Sequence, residues 1–582
     1  MEKKEMKSKT NRSWKISVFA LLFAVLAVIS IGCASADTIC VPEGGNQTIQ
    51  QAVNNASEGD TIIVRDAYTG TKENIDVTVA YLTIQSENGS ANCIVNASNS
   101  NDHVFDVQQN YVNISGFTVE NATGNYKAGI YLNGRQHCNI SGNNASNSYY
   151  GIYLSSSSDN TLTNNTASNN VFGIYLYSLS NNNTLTNNTA SNNTIGIYLR
   201  SSSNNTLTNN TASNNTIGIY LRSSSNNTLT NNTAKENTLF DFYVSASSDA
   251  HCSNVIENNT GSGNRPIKYY NYPVDLSNEI LSELILCNAD NSTINNVTIK
   301  GSETLKNNGF LILRTDNSTF TNINSSNNWY GIDLYSSSNN TLTNNTASNN
   351  FYGIYLRSSS NNNTLTNNTA SNNDCGISMW SSSNNTLTNN TANSNNNGIS
   401  MWSSSNNTLT NNTANSNNYY GIYLYSLSNY NTLTNNTASN NYYGIKLEDS
   451  SNNILYYNSL INNTDYNTYD TGTNQWNTST VGNYYSDYTG SDNSSDGIGD
   501  ASYQIPGGSS IDYFPLMRPL GKPPLKGDLD DDFQITSKDA AIALEIAVGS
   551  RPCNSQILAI ADVSGDGRVS SLDALIILQM VT

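Results

Sequence analysis

Twelve residues close to the C-terminus, Asp562-Val563-Ser564-Gly565-Asp566-Gly567-Arg568-Val569-Ser570-Ser571-Leu572-Asp573, carry oxygen donors at loop positions 1, 3, 5 and 12. Calcium is a hard cation that gathers several oxygens from one short loop. Carboxylates and hydroxyls serve at those positions, position 7 gives its backbone carbonyl, and position 6 is a glycine where the chain turns sharply. Gly567 fills position 6 and Arg568 supplies the carbonyl. Asp562, Ser564, Asp566, Arg568 and Asp573 are therefore predicted to hold one calcium ion, with Asp instead of Glu at position 12. The apolar run Ala574–Leu578 that follows reads as a helix. Upstream, Asp528, Asp530, Asp532, Gln534 and Asp539 repeat the spacing and lead into a second predicted helix over Ala540–Val548, with Gly549 as its stop. Phe533 stands at position 6 of this earlier loop. A left-handed Phe costs about 1–2 kcal/mol, so the first site is expected to be the weaker. A third segment has Asp492, Ser494, Asp496 and Asp500 at positions 1, 3, 5 and 9 and Gly497 at 6, but position 12 is Tyr503. Asp492, Asp496 and Asp500 are read as ligands of a further calcium if Asp487 or Asp512 completes the set; otherwise the segment is an acidic turn.

The residues ahead of these loops repeat. Gly129, Gly151, Gly173, Gly196 and Gly218 lead near-identical units, and Gly309, Gly331, Gly353, Gly376, Gly398, Gly421 and Gly444 lead another run, at intervals of 22 or 23 residues. A fixed period of this size marks a solenoid whose units bury their apolar edges only against one another. Ser, Thr, Asn and Gly fill each unit and favour turns over helices. The apolar residues alternate: in Gly173–Tyr177, Ile174 and Leu176 share one face, Tyr175 and Tyr177 the other. A second short strand carries one Leu (Leu185) and a third one Ala (Ala190). Three strands and three turns per unit describe an all-β, right-handed parallel β-helix; a leucine-rich repeat would need more leucines. Ile152, Leu154, Leu162 and their equivalents are expected inside. Residues from Phe240 to Gly331 read as degenerate but continuous coils with longer turns.

Asparagine suits both the left-handed corners of such a coil and amide ladders between coils. Many Asn-x-Ser/Thr triplets occur, such as Asn204-Asn205-Thr206. Because Asn-Asn-Thr is read as part of the inward ladder, glycans are expected on few of them. The outward positions of the first strand form two columns. Tyr153, Tyr175, Tyr198, Tyr220, Tyr355 and Tyr423 lie in one; Arg200, Arg222, Arg357, Trp380 and Trp402 in the other. Such a stripe of rings and guanidinium groups suits contact with a long glycan, or else stabilises neighbouring coils by stacking. Acids in the repeats are isolated (Asp241, Asp316, Asp333), so no catalytic pair is assigned.

Thr48–Ala56 reads as a short amphipathic helix that caps the first coil. Before it, Lys3 to Lys15 precede an apolar run, Ile16–Ile31, and the small residues Ala34-Ser35-Ala36, the pattern of an export signal cut before Asp37. An uncleaved anchor or a lipid at Cys33 is the alternative. Six of the 26 basic and two of the 44 acidic residues fall in this segment, leaving a net charge of −22 for the rest. That argues against nucleic acid and anionic membrane as partners and suits a secreted or cell-surface chain. Seven scattered cysteines follow residue 36, and no pairing is assigned.

Two loop–helix units in residues 527–582 resemble a dockerin module. The resemblance implies calcium as cofactor and a cohesin-bearing surface protein as partner, with positions 10 and 11 of each loop, Ser537, Lys538, Ser571 and Leu572, as contacts. The tail from Trp476 through Asp496-Gly497-Ile498-Gly499-Asp500 to Tyr513-Phe514-Pro515, taken with the coils, resembles NosD-type β-helix proteins of the carbohydrate-binding and sugar-hydrolase group. Some relatives are copper-binding, but here only His103, His137 and His251 are present, on separate coils, and the methionines form no evident cluster. The expected organisation is an export signal at 1–36, a capped β-helix at 37–465, a closing segment at 466–520, a linker at 521–526 and a small helical calcium-loop domain at 527–582. The function this implies is a secreted glycan-binding or spacer rod attached through its calcium-dependent module; the alternative is a polysaccharide-degrading enzyme carried by that module.

Overall fold

The computed structural model describes residues 36–42, 47–494, 496–519, 525–530 and 535–581, the side chains of 67, 555 and 556 aside. Residues 1–35 of the expected export signal, 521–524 of the expected linker at 521–526, and Asp532, Phe533 and Gln534 lie outside these residues. About 19 coils stack into an all-β solenoid. A regular coil has strands Tyr150–Ser155, Thr161–Thr163 and Thr166–Ser168. Each pairs in parallel with its counterpart one coil on, so Ile152 meets Ile174, Leu162 meets Leu185 and Ala167 meets Ala190. Alternation buries Ile152, Leu154, Leu162 and Ala167 completely. Gly151 leads its strand because a Cβ there would lie 2.5 Å from the Gly173 carbonyl oxygen and 2.9 Å from the Asn170 amide nitrogen. Between Asn324 and Thr437 the third strand shrinks to single bridges at Thr346, Thr369, Thr391 and Thr413. The cap helix α1 (Ile49–Asn55) starts at a Thr48–Gln51 capping box and buries Ile49, Ala52 and Val53. A strand not foreseen, Thr38–Val41, precedes it and pairs with Thr61–Val64, so the first rung lies ahead of the helix.

The paired asparagines divide two tasks. Asn164 turns the corner in left-handed backbone (φ 57°) and is exposed, while Asn165 is buried. Asn188 Oδ1 accepts from both the backbone N–H and the side-chain Nδ2 of Asn165, each at 3.0 Å, and Nδ2 of Asn165 also donates to the Ile140 carbonyl at 2.8 Å. The amide N–H groups of each ladder therefore point toward the C-terminal end, and its last asparagine needs an acceptor that is not itself a donor. Carboxylates fill that role. At the C-terminal end Asp470 accepts from Asn474 at 2.8 Å, Asp487 from Asn467 at 2.7 Å and Asp512 from the Asn483 N–H at 2.7 Å.

The solenoid is not one continuous stack. The first-strand sheet ends at Phe240–Ser245 and the second-strand sheet at Val255–Glu257. Pro266–Tyr270 pairs antiparallel with Asn259–Thr260, the last of the third strands, and then seeds the first-strand sheet of a second stack with Glu283–Cys287 and Gly309–Leu313. One sheet thus changes role. Its two faces serve two cores: Ile285, Cys287, Leu311 and Leu313 close the first, while Leu284, Leu286, Phe310 and Ile312 open the second. A disulfide, Cys252–Cys287, which the scattered cysteines did not reveal, ties the two stacks at this seam. Asp241 takes the place of the leading glycine in the last coil of the first stack. Its carboxylate ends the Asn193–Asn215–Asn237 ladder, accepting from Asn237 at 3.0 Å, Asn308 Nδ2 at 2.7 Å and the Ser262 N–H at 2.7 Å.

The last coil runs past residue 465: Tyr466–Asp470 pairs with Tyr443–Glu448, and Tyr484–Tyr485 with Ser459–Ile461. Beyond it, among the described residues, lie three helices, α2 (Ser537–Ala547), α3 (Ser555–Ala561) and α4 (Ser571–Met580). Ala540, Ala543, Ala574 and Ile577 form a small core of their own. No helix among the described residues is long and apolar enough to cross a membrane.

Candidate functional site

The last acidic loop closes on itself as its spacing predicts. Asp562 Oδ1 accepts from the N–H groups of Gly565 and Asp566 at 2.7 and 3.0 Å, and Oδ2 from Gly567 at 2.8 Å, with Gly567 left-handed at φ 84°. Asp566 accepts from the Arg568 N–H at 3.1 Å. Asp573 has a double role. It is the N3 residue of a capping box with Ser570 that starts α4, and its other oxygen accepts from the Ser564 N–H at 2.9 Å. A short Asp at position 12 can do both. Ligand atoms of Asp562, Asp566 and Asp573 lie within 4.8 Å of one another, as do those of Asp528, Asp530 and Asp539. Asp539 likewise caps α2 from Thr536 and accepts from the Leu529 and Asp530 N–H groups at 2.7 and 3.1 Å. Desolvation alone would raise the Asp573 carboxyl, but donation from Ser564 and Ser570 outweighs it and holds the group below its ordinary range. Both donor sets fit a calcium ion: hard carboxylate oxygens, closely gathered. In the first, Lys538 Nζ reaches back to Asp530 at 2.7 Å, while the Lys538 side chain stays 73% exposed. Ser537, Ser571 and Leu572 are exposed.

The Asp492 loop has the same local form. Gly497 N–H donates to Asp492 Oδ2 at 2.9 Å, Ile498 N–H to Asp496 at 2.9 Å, and Gly497 has φ 85°. Its closure differs. Asp500 accepts from the Asn493 N–H at 2.8 Å. The two acids expected to complete it are engaged elsewhere: Asp487 and Asp512 terminate asparagine ladders, and Asp512 is fully buried beside Tyr485. Its carboxylates are not drawn together as those of the two C-terminal loops are.

The aromatic columns stand on the first strand as expected, but their rings face one another. Tyr153–Tyr175, Tyr175–Tyr198 and Tyr198–Tyr220 have centroids 5.2, 4.8 and 4.7 Å apart and planes within 10°. Tyr175, Tyr198 and Tyr355 are buried. Residues just before each leading glycine, Tyr150 and Phe172 among them, extend this outer cluster; the recurrence of a large residue there was the available signal. Arg200 lies over Tyr177 and Arg357 over Tyr330, Tyr335 and Tyr355, whereas Arg222 is exposed. Asp333, read as an isolated acid, is fully buried in a pair with Arg357 at 2.7 Å, where the end of the first stack, through Tyr243, meets the second. Tyr423 packs against Tyr420 and Tyr425. Trp380 and Trp402 are the open members, 43% and 40% exposed and stacked at 5.2 Å. A trough of about 820 Å³ follows another corner over several coils, lined by Tyr149, Asn169, Asn192, Thr194, Asn214 and Thr216. Of the histidines, His103 is buried and its Nδ1 accepts from the Ala128 N–H at 3.0 Å. Met379 and Met401 pair one coil apart in the core, at positions that other coils fill with Leu.

A family profile described as "Periplasmic copper-binding protein (NosD)" matches residues 289–490, one described as "Right handed beta helix region" matches 128–280, and one described as "Dockerin type I domain" matches 526–582. The chain is a NosD-type right-handed β-helix with a C-terminal dockerin. Among solved structures, it is similar to the A-module of the Azotobacter vinelandii mannuronan C-5 epimerase AlgE6 at 11% identity, over 73% of this chain and 91% of that one, with a TM-score of 0.24. Pectate lyase Pel9A matches at 14% identity, over 48% and 75%, TM-score 0.31. DFA-IIIase from Arthrobacter chlorophenolicus A6 matches at 11%, over 65% and 95%, TM-score 0.30. No curated protein sequence matches. Among the described residues of this NosD-type chain, His, Cys, Asp or Glu donors close enough to share an ion in groups of three or more occur at the two dockerin loops.

Proposed function

We propose that this chain is a secreted cell-surface rod whose dockerin docks it, in a calcium-dependent way, onto a cohesin-bearing partner, while the β-helix serves as spacer and polysaccharide-contacting surface. The observation that carries this reading is the state of α4. Its inner face holds Asp573, Ala574 and Ile577, which tie the helix to the calcium loop and the small core. Leu572, Leu575 and Leu578 stand outside, each at least half exposed. An apolar strip of this kind on so small a domain suits a protein partner, and the loop sets its orientation. The corresponding residues of α2 are Lys538, Ala541 and Leu544, so the α4 side is the more apolar. On the rod, the Trp380–Trp402 pair and the long trough are the places where a polysaccharide chain would find open rings and rows of amides and hydroxyls.

Ligands that converge only in the folded state make calcium binding part of folding free energy. A chelator is therefore expected to loosen residues 527–582, seen as faster amide exchange, and to abolish capture by an immobilised cohesin, with the rod unchanged. Asp562→Ala should weaken calcium uptake more than Asp528→Ala, because Phe533 occupies position 6 of the first loop. Cohesin capture that is indifferent to chelator would overturn the docking reading. Equal effects of the two substitutions would overturn only the ranking.

A further inference from the structure

The corner between the second and third strands presents one asparagine per coil to solvent: Asn164, Asn187, Asn209 and Asn231, each exposed and left-handed at φ 56–57°. Among the described residues their side-chain amides make no hydrogen bond, whereas the asparagines that follow them, Asn165, Asn188, Asn210 and Asn232, are locked in the ladder. Each exposed one begins an Asn-Asn-Thr triplet, with Thr166, Thr189, Thr211 and Thr233 at the third position. The phase of the strand explains the match. The first Asn points out, the second in, and the Thr out again; two residues after each buried Asn comes the inward Ala, which cannot complete a triplet. The buried asparagines are thus no Asn-x-Ser/Thr acceptors, while the free amides are. This reverses the expectation that the Asn-Asn-Thr amides face inward.

We propose that this column is an array of N-glycosylation sites, filled on alternate coils. The proposal rests on the export reading of residues 1–36, since the co-reactant, an oligosaccharide activated on a lipid phosphate, belongs to export. In the transfer, the acceptor Nδ2 forms a bond to C1 of the sugar, the bond from C1 to the phosphate oxygen breaks, the lipid phosphate leaves with the electron pair, and one Nδ2 proton passes to base. The product fits the fold, because the ladder and the strand lose no hydrogen bond. Neighbouring acceptors are separated by roughly the 4.8 Å between paired strands, narrower than a branched sugar core, so adjacent coils exclude one another. In the second stack Asn411 donates to Asn389 and Asn435 to Asn411, which leaves those amides less free.

The test uses protein purified from cells that make it with its own leader. Trypsin, cutting after Arg200, Arg222 and Lys235, releases residues 201–222 with Asn209 and 223–235 with Asn231, and incomplete cleavage gives 201–235. Mass spectrometry is expected to find glycan on Asn209 and on Asn231 but not on both in one 201–235 peptide. Thr211→Val should abolish glycan at Asn209 and raise occupancy of Asn231. A processed chain beginning near Asp37 with 201–235 wholly unmodified would overturn the modification while export stood. A chain that retains residues 1–36 inside the cell would overturn export and the modification together. Both sites filled on one peptide would overturn the alternation.

Discussion

The regular coils and the seam solve the same problem with opposite means. In residues 150–235 the inward asparagines lean on copies of themselves one coil on: Asn165 on Asn188 and Asn188 on Asn210, and the Ser157 N–H donates to Ser180 in the same way. At the seam no copy follows. Asp241 and Glu283, both fully buried, stand among Asn308, Ser262 and Ser282, and a disulfide crosses nearby. Repetition gives neutral, pH-insensitive satisfaction. A stack that ends or restarts needs groups that break the donor–acceptor pattern, and these are charged in water and costly to bury.

Three experiments would sharpen or break this contrast. The largest effect is expected from Leu207→Asp in the middle of the regular coils. It removes a fully buried side chain, worth about 2–5 kcal/mol by truncation alone, and leaves an unpaired carboxylate in an apolar core. Because coils are held by nearest neighbours, unfolding followed by amide exchange should show loosening that spreads from residues 185–230 and fades toward the second stack. Loss of the whole molecule in one step would mean that the seam transmits as well as the coils do.

A middle effect is expected from Asn210→Ala. The substitution leaves the Asn188 N–H without its side-chain acceptor, removes one of the two acceptors of Asn188 Nδ2 (the Leu162 carbonyl remains), and takes the Asn210 amide from the Leu185 carbonyl. Each orphaned group costs about 1–3 kcal/mol, less what water recovers at the corner. Chemical denaturation should place Asn210→Ala between Leu207→Asp and the parent. No change would sink the ladder as a source of stability.

The smallest effect is a slope. Burial, reinforced by the Asp241 charge, pushes the Glu283 carboxyl well above its ordinary range, and burial also raises Asp241 despite donation from Asn308 and Ser262. A carboxyl whose folded pKa is raised binds its proton more tightly when folded. Its stabilising contribution is complete below the unfolded carboxyl range and is lost as pH climbs toward the folded value; a tenfold tighter hold on the proton corresponds to about 1.4 kcal/mol. Thermal unfolding from pH 4 upward should therefore show the seam weakening while the coils of residues 150–235, which have no buried carboxyl, hold. Glu283→Gln should flatten that slope. An unaltered slope would show that Glu283 is not its origin.

Much of this was legible in the residues. Ile152, Leu154 and Leu162 are buried where alternation put them, and the loop from Asp562 to Asp573 closes as its spacing predicts, because both patterns are local and set by neighbours in the chain. The asparagine pairs were half legible: corner and ladder were both foreseen, but which Asn does which depends on the direction each takes at the turn. The ring column was visible and stacking between coils was one of its two readings; how deeply the rings bury one another was not legible, since a column in sequence does not say how the rings tilt. Asp487 and Asp512 read as candidate calcium ligands because sequence shows a carboxylate without showing that a ladder ends beside it.

By itself the sequence determined the repeat, the three-strand coil, the buried aliphatic column and the two acidic loop–helix units, since each follows from spacing along a few dozen residues. Only the tertiary structure decided that the solenoid is two stacks joined by a shared sheet, that Cys252 meets Cys287, that Asp333 lies buried against Arg357, and that carboxylates end the ladders. Those features arise where the repeat fails. There the partners come from distant parts of the chain, and what fixes them is the need to satisfy every buried donor and cover every open core, a condition that no local pattern of residues records.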